Sequence, residues 1–419
     1  MSQSPVRKWL RRLGGLALIA VVVVMAAFGA FLASSHTAAG ARAEGKRLER
    51  MQASPQWKDG VFGNALARVD GDYGTMIDKM LSKAHAAPAT TPKITPRTKS
   101  DFDVAPTSGL RVTWLGHSTL IVEIDGQRVL VDPVWAERAS PVQWMGPSRW
   151  YPSPLPVDEL PRIDAVVISH DHYDHLDHTT VQKLAGQGIR WLVPLGIGAH
   201  LEYWGVPTKD ITEMDWWETT TLAGKTRDDN VVITCTPARH FSGRSPLLDD
   251  QNATLWAGWA MTGPQHRVFY SGDTAMHPEF KTIGDKLGPF DVTLMENGAY
   301  DALWSDVHLG PEQAVIAHQL VRGKTMLPVH WGLFDLANHS WTEPVQRVLV
   351  AAEKVGVDLL LVRPGGWVEP DDGKFIDKWW DDKVPWQTVA EGPAWSTSVD
   401  SLLQTSPLYV ASKAQGSQP

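Results

Sequence analysis

Cysteine is almost missing from this chain. Cys235 is the single thiol among 419 residues, so no internal disulfide can form and a packed core or bound metal must hold the fold. That scarcity does not fix the compartment, because exported proteins can also do without disulfides. A basic excess is missing too. Lys and Arg number 39 against 47 Asp and Glu, a net charge of −8, which argues against nucleic acid as a partner. Nor is the composition that of a disordered chain, with 43% hydrophobic and 21% charged residues. No internal repeat is visible. At about 150 residues per domain, the length suits two or three domains or one large sandwich.

Apolar length is concentrated at one place. Leu13–Ala33 carries no charge, and as a helix it would rise ~32 Å, enough to cross a hydrocarbon core. Arg7, Lys8, Arg11 and Arg12 precede the run, and Arg42, Lys46, Arg47 and Arg50 follow it. The counts tie, but the first group is denser and closer, which favours residues 1–12 as a cytoplasmic basic tail. Residues 13–33 then read as an anchor in the cytoplasmic membrane, with the lipid bilayer as partner and the remaining chain on the periplasmic or extracytoplasmic side. A cleaved signal sequence is the rival reading. Its apolar region is usually shorter, about 7–15 residues, and the small-residue run Ala39-Gly40-Ala41 lies beyond the apolar end.

Residues 34–105 read as an approach segment outside the core, with a helix around 63–86 and a stiff linker carrying Pro88, Pro92 and Pro96. The main domain is expected over 106–392 and a flexible tail over 393–419. The twenty tryptophans read as large core side chains before a lipid-facing surface.

From Arg111 onward, short apolar runs alternate with polar loops. Arg111–Leu115, Thr119–Ile124 and Arg128–Asp132 form an expected antiparallel meander, with a tight turn at Asp125-Gly126. Helices are expected at Pro311–Val321 and Pro344–Val355. More telling is what ends the strands. The run 163–169 leads into His170, 231–237 is followed by His240, 267–272 ends at Asp273, and 324–329 ends at His330. A preference of polar residues for loops explains one such case, whereas four describe a site built on rigid elements. In His170-Asp171-His172-Tyr173-Asp174-His175, alternate residues of an extended segment point the same way. His170 and His172 can then grip one cation while Asp174 and His175 reach a second. Imidazole and carboxylate suit zinc, and manganese or iron also fit such a set.

His-x-His-x-Asp-His is the signature of the metallo-β-lactamase superfamily. Around it, WLGHST (114–119), DPVW (132–135), ERASPVQWMGPSRW (137–150), TPARHFSGR (236–244), SGDT (271–274), GAY (298–300) and HWGLF (330–334) appear in order. Over Thr107–Gly366 the chain resembles the N-acyl-phosphatidylethanolamine-hydrolysing phospholipase D branch. That resemblance implies an α/β fold, the four-layer αββα sandwich, and a site for two zinc ions. His170, His172 and His240 would hold the first ion, Asp174, His175 and His330 the second, with Asp273 bridging. Taken alone, Asp273 after Ser271-Gly272 could be a turn residue, but a two-metal site needs a bridging carboxylate.

Two cations about 3.5–4 Å apart lower the pKa of a shared water toward about 7, so no serine or cysteine nucleophile is required. Cys235 therefore reads as a core residue. Asp174, Asp273 and His308 are the expected catalytic residues. The resemblance puts His308 beside the metals, where it would also bind substrate, and Arg244 is a candidate partner for a phosphate. Val307 departs from the glutamine expected in the animal enzymes. His117 is expected to support a ligand through a hydrogen bond. His178, His277, His318 and His339 are expected to be structural or exposed. The expected activity is phosphodiester hydrolysis on a phospholipid-like or other small-molecule substrate. An ester, lactone or β-lactam hydrolase using the same metals is the alternative, and a metal-stabilised envelope protein without activity is another.

Overall fold

The computed structural model describes residues 5–69, 85–224, 226, 229–370, 373–386 and 392–414. The chain opens with a long helix, α1 (Pro5–Ala39), a short one, α2 (Gly45–Gln52), and a ribbon of β1 (Trp57–Lys58) with β2 (Val61–Phe62). The expected meander follows as β3 (Leu110–Gly116), β4 (Thr119–Ile124) and β5 (Gln127–Val131), antiparallel throughout. Its turn residues Asp125 and Gly126 have φ of 46° and 84°, the left-handed pair that a tight hairpin turn requires. Parallel strands β6 (Ala165–Val167), β7 (Arg190–Pro194) and β8 (Ile211–Met214) extend this first sheet. Helices α3 (His178–Leu184) and α4 (Gly198–Tyr203) connect them.

The second sheet begins with antiparallel β9 (Thr219–Leu222), β10 (Val231–Thr236), β11 (Gly258–Thr262) and β12 (Arg267–Tyr270). Parallel β13 (Phe290–Glu296), β14 (Gly323–Val329) and β15 (Asp358–Leu361) continue it, joined by α5 (Glu279–Leu287), α6 (Pro311–Leu320) and α7 (Glu343–Val355). Late in the chain, β16 (Trp367–Val368) returns to pair with β3 and β17 (Phe375–Ile376) pairs with β15.

Strand periodicity sorts these residues into layers. Leu120, Val122 and Ile124 of β4 and Val129 and Val131 of β5 join one core, which also holds Ile233, Trp259 and Tyr270 of the second sheet. Their alternates Ile121 and Leu130 join another core with Val181, Leu184 and Leu201 of α3 and α4. Successive side chains of a strand face opposite ways, so the first sheet is covered by the second sheet on one side and by helices on the other. Val315 and Val348 bring α6 and α7 into the first core. The result is the expected αββα sandwich. Trp114, Trp191, Trp256 and Trp259 fill it as core side chains, and Trp114 stacks on Trp331 with centroids 5.5 Å apart.

Three expectations need revision. The helix expected around 63–86 does not form over 63–69, and 70–84 lie outside the described residues. The approach segment is not outside the core: Met51 and Phe62 are buried in it, and Arg47 of α2 pairs with Glu202 and Glu213. Its lone apolar residues were too sparse to announce a packed face. Nor do residues 399–409 form a free tail. Val399, Leu403, Leu408 and Tyr409 are buried, and two short helices, α8 (Asp400–Leu403) and α9 (Pro407–Ala414), carry three of them. Val399 and Leu403 stand one helical turn apart, a spacing hidden among Ser, Thr and Gln. Leu403→Ala is therefore expected to cost about 2–5 kcal/mol, against at most about 0.5 kcal/mol for the exposed Gln404→Ala. Urea unfolding midpoints of the two variants check this.

Candidate metal centre

Strand direction gathers the site. One antiparallel strand separates β10 from β12, so both point the same way, and β13 and β14 run parallel to β12. Their carboxyl ends therefore share one edge of the second sheet. His240 lies four residues past β10, Asp273 three past β12 and His330 directly after β14, while Glu296 ends β13. From the facing sheet, β6 ends at Val167 and the chain delivers His170 three residues later.

These side chains meet. His172 Nδ1 lies 2.8 Å from His170 Nε2 and 3.3 Å from His240 Nε2. Beside that trio, Asp174 Oδ2 lies 3.2 Å from His330 Nε2 and 3.4 Å from His175 Nε2. Asp273 Oδ2 stands between the two groups, 3.1 Å from His330, 3.2 Å from His175, 3.8 Å from His170 and 3.9 Å from His240. All seven sequence-predicted ligands are thus brought together. The donor set also fits a cation physically. His175 Nε2 and Asp273 Oδ1 are buried without a hydrogen-bond partner, a state that costs about 1–3 kcal/mol per group unless something satisfies it.

The electrostatics divide the site. Burial, reinforced by neighbouring imidazoles, pushes His170 and His240 well below the usual histidine range, and burial also lowers His172. These three are neutral, as metal ligation requires. The second group behaves in the opposite way. Burial disfavours the charge on His330, but Asp273 and Asp174 outweigh it and raise the ring to about 10. His175 rises well above its ordinary value by the same contest. Burial would raise Asp174 and Asp273, yet His175 and its neighbours hold both well below the carboxylate range. The two carboxylates are balanced by imidazolium charge where a cation would otherwise serve.

A supporting shell fixes the rings. Asp132 accepts from His175 Nδ1 at 2.7 Å, from the Ser169 backbone N–H at 2.7 Å, from Ser169 Oγ at 2.6 Å and from Tyr270 at 2.5 Å. His117 Nε2 lies 2.8 Å from Asp174 Oδ2, the supporting contact expected of it. His240 Nδ1 donates to the Val307 carbonyl at 3.0 Å. Because that contact uses main chain, valine in place of glutamine leaves the ring's support intact. Of the histidines expected to be structural, His318 is buried against Thr293 and His277 on Phe280. His339 accepts from the Ala299 N–H, and His178 is half-buried beside Trp204.

Glu296 escaped the sequence reading. It is buried, accepts from the Thr274 N–H at 2.7 Å, and makes a very short contact with His308 Nδ1. Burial, then Asp273, drives its carboxyl well above the usual range, and burial lowers His308 to about 4. The signal was available, since 290–296 is one more apolar run that ends in a potential ligand. His308 itself sits where expected, its Nδ1 3.8 Å from Asp273 Oδ2.

Arg244 does not sit where a phosphate partner should. Its side chain is 2% exposed, and it donates to the Ala38 carbonyl from Nε and Nη2, to the Leu176 carbonyl and to the Asp171 carbonyl. The guanidinium also lies 4.1 Å from the centre of the Tyr173 ring. A helix end leaves carbonyls without partners, and this planar fork supplies donors to the end of α1. That need fixes Arg244 away from the centre.

Two outcomes follow. Asp132→Ala removes the acceptor that orients His175 and is expected to weaken metal retention about 10–100-fold, read by competition with a chromogenic chelator. Below its raised value of about 10, His330 carries a proton that ligation must displace. Loading metal-stripped protein at neutral pH is therefore expected to release protons, and retention should fall as the pH drops. Calorimetry in buffers of different ionisation enthalpy measures the release.

Comparison with known proteins agrees with this geometry. A family model described as "Beta-lactamase superfamily domain" matches residues 127–331, a span that contains all seven positions. The Mycobacterium tuberculosis protein Rv0906 is 45% identical over 335 residues, covering 78% of this chain and 87% of that protein. N-acyl-phosphatidylethanolamine-hydrolyzing phospholipase D 1 of Caenorhabditis elegans is 41% identical over 239 residues, 55% of this chain and 65% of that protein. The mitochondrial enzyme of that type from Saccharomyces cerevisiae is 31% identical over 247 residues, 58% of this chain and 51% of that protein. With that relationship to Rv0906, the matching domain model and the αββα sandwich, the chain belongs to the metallo-β-lactamase superfamily and is a metal-dependent hydrolase.

Proposed function

We propose that this protein is a membrane-anchored dinuclear phosphodiesterase acting on a phospholipid-like substrate. The observation that carries the reading is the position of Asp273, one carboxylate oxygen within 3.1–3.9 Å of nitrogens from both ligand groups. His170, His172 and His240 would hold one cation and Asp174, His175 and His330 the other, with Asp273 shared. Zinc suits these ligands, and manganese or iron also fit. When bound, such a pair lowers the pKa of a shared water toward about 7 and supplies hydroxide at neutral pH.

The chain's own residues do the rest. Glu296 keeps its proton and donates a hydrogen bond to His308 Nδ1, which leaves the His308 Nε2–H as a donor. His308 is neutral at pH 7, since burial lowers it to about 4, so it offers a phosphoryl oxygen a hydrogen bond without a full charge. Asp174 and Asp273 remain ionised and fix the negative side of the site. The names of the C. elegans and S. cerevisiae relatives support a phospholipid class of substrate.

The anchor is α1. Its Leu13–Ala39 segment has mean hydropathy 2.8, and an apolar 18-residue window of it is wholly unburied. Residues 1–12 would lie on the cytoplasmic side and the catalytic domain on the other. Retention of the helix is supported by its end. Cleavage near 39–41 would remove Ser35 and Ala38, both 1% exposed, and strip Arg244 of two of its hydrogen bonds.

Full-length zinc-loaded protein is assayed on N-acyl-phosphatidylethanolamine, bis-p-nitrophenyl phosphate, a lactone and a chromogenic cephalosporin, with and without chelator. Phosphodiester cleavage is expected, abolished by chelator and restored by zinc. His308→Ala is expected to lower kcat about 10²–10³-fold with metal content unchanged. Turnover of the lactone or cephalosporin alone would overturn the reading.

A further inference from the structure

The 138–148 hairpin carries the feature that neither the metal centre nor the anchor accounts for. It is closed by a bridge between Arg138 and Ser148, and its tip presents Trp144 and Met145, 63% and 49% exposed. A large indole left open to water forgoes the gain of burying its apolar surface. The tip is not far from apolar surroundings, however. Trp144 meets Phe31 of α1 edge-on, with ring centroids 6.2 Å apart. Phe31 lies inside the uncharged run 13–33, two residues from its end, or about 3 Å along the helix axis. Where that run occupies hydrocarbon, Trp144 stands at the boundary, the depth at which tryptophan is enriched in membrane proteins.

The joint between helix and domain holds this arrangement. Arg244 grips the Ala38 carbonyl, Trp204 Nε1 donates to the Thr37 carbonyl at 2.7 Å, and the Ala41 N–H donates to His200 Nδ1 at 3.1 Å. Arg42 pairs with Asp249 at 2.8 Å. These contacts span α1 from its last turn into the following loop, so the helix does not act as a loose tether.

We propose that the 138–148 hairpin is a second membrane contact, seating Trp144 and Met145 in the bilayer interface beside the anchor. The occupant is a lipid surface, and this contact rests on the proposed anchor. The hairpin also reaches the metal centre from its root. The Trp150 N–H donates to the Leu333 carbonyl at 3.0 Å, and Tyr151 packs with Leu333 and Phe334. Phe334 stands edge-on to His117 at 5.3 Å, and His117 holds Asp174. A hairpin fixed at both ends sets the metal centre at a constant height above the lipid headgroups.

The buried Cys235 is the only native thiol, so single reporter cysteines can be labelled with an environment-sensitive fluorophore in the full chain. Met145→Cys is the test position, Val22→Cys reports the span, and Val350→Cys, on the solvent-facing side of α7, reports water. Each protein is reconstituted in phosphatidylcholine–phosphatidylglycerol vesicles with nitroxide lipids labelled near the headgroup or deep in the acyl chain. Position 145 is expected to emit to the blue of position 350 and to be quenched several-fold more by the shallow nitroxide. Position 22 should respond to the deep one. Quenching at 22 with position 145 matching position 350 overturns the hairpin contact and leaves the anchor standing. No quenching at 22 or 145 overturns the anchor and the contact with it. A blue-shifted but unquenched position 145 means that protein covers the tip, which also overturns the proposal.

Discussion

A carboxylate buried among apolar strands costs several kcal/mol unless positive charge is set against it. Asp273 is 3% exposed and faces imidazole nitrogens on two sides, and much of the local architecture serves that balance. His175 and His330 carry raised pKa values because Asp273 and Asp174 hold protons on them. His170 and His240 stay neutral because they are buried farther from the acidic pair. One acidic group therefore sorts the histidines into two kinds. Under the proposed function, bound cations would take the place of those protons.

Topology makes the balance possible. A single side chain cannot reach across a sandwich about 10 Å thick, so ligands from both sheets must converge at an edge. Strands β10, β12, β13 and β14 end at one side of the second sheet, and β6 ends against them from the first. Loops leaving those ends need only one to four residues to deliver a ligand. Such short lengths leave little slack, and Asp132 removes more by fixing Ser169 and His175 together.

The sheet meander and the convergence of the seven candidate ligands were legible in the sequence because they depend on local pattern, whereas the αββα layers were expected only from the resemblance of its motifs to a known superfamily. Period-two alternation, an Asp-Gly turn and polar residues at strand ends are written within a few positions of one another. Glu296 obeyed the same strand-end rule but was passed over, since a lone glutamate carries less chemical suggestion than a histidine-rich run. Arg244 was misplaced for a different reason. Its partners, Ala38 and Leu176, are 206 and 68 residues away, and no local pattern shows that a distant helix end needs donors. Sparse apolar residues such as Met51 and Leu403 hid core segments in the same way, because burial there is decided by what packs on them.

The proposed function requires two cations between the gathered imidazoles and carboxylates. Anomalous diffraction at the zinc edge, from crystals of the zinc-loaded protein, tests that claim directly. The expected map has two peaks about 3.5–4 Å apart. One would lie within about 2.0–2.2 Å of nitrogens from His170, His172 and His240, and the other as close to Asp174, His175 and His330. Asp273 would touch both. A map with no peak among these residues, or with a single ion far from Asp273, would contradict it.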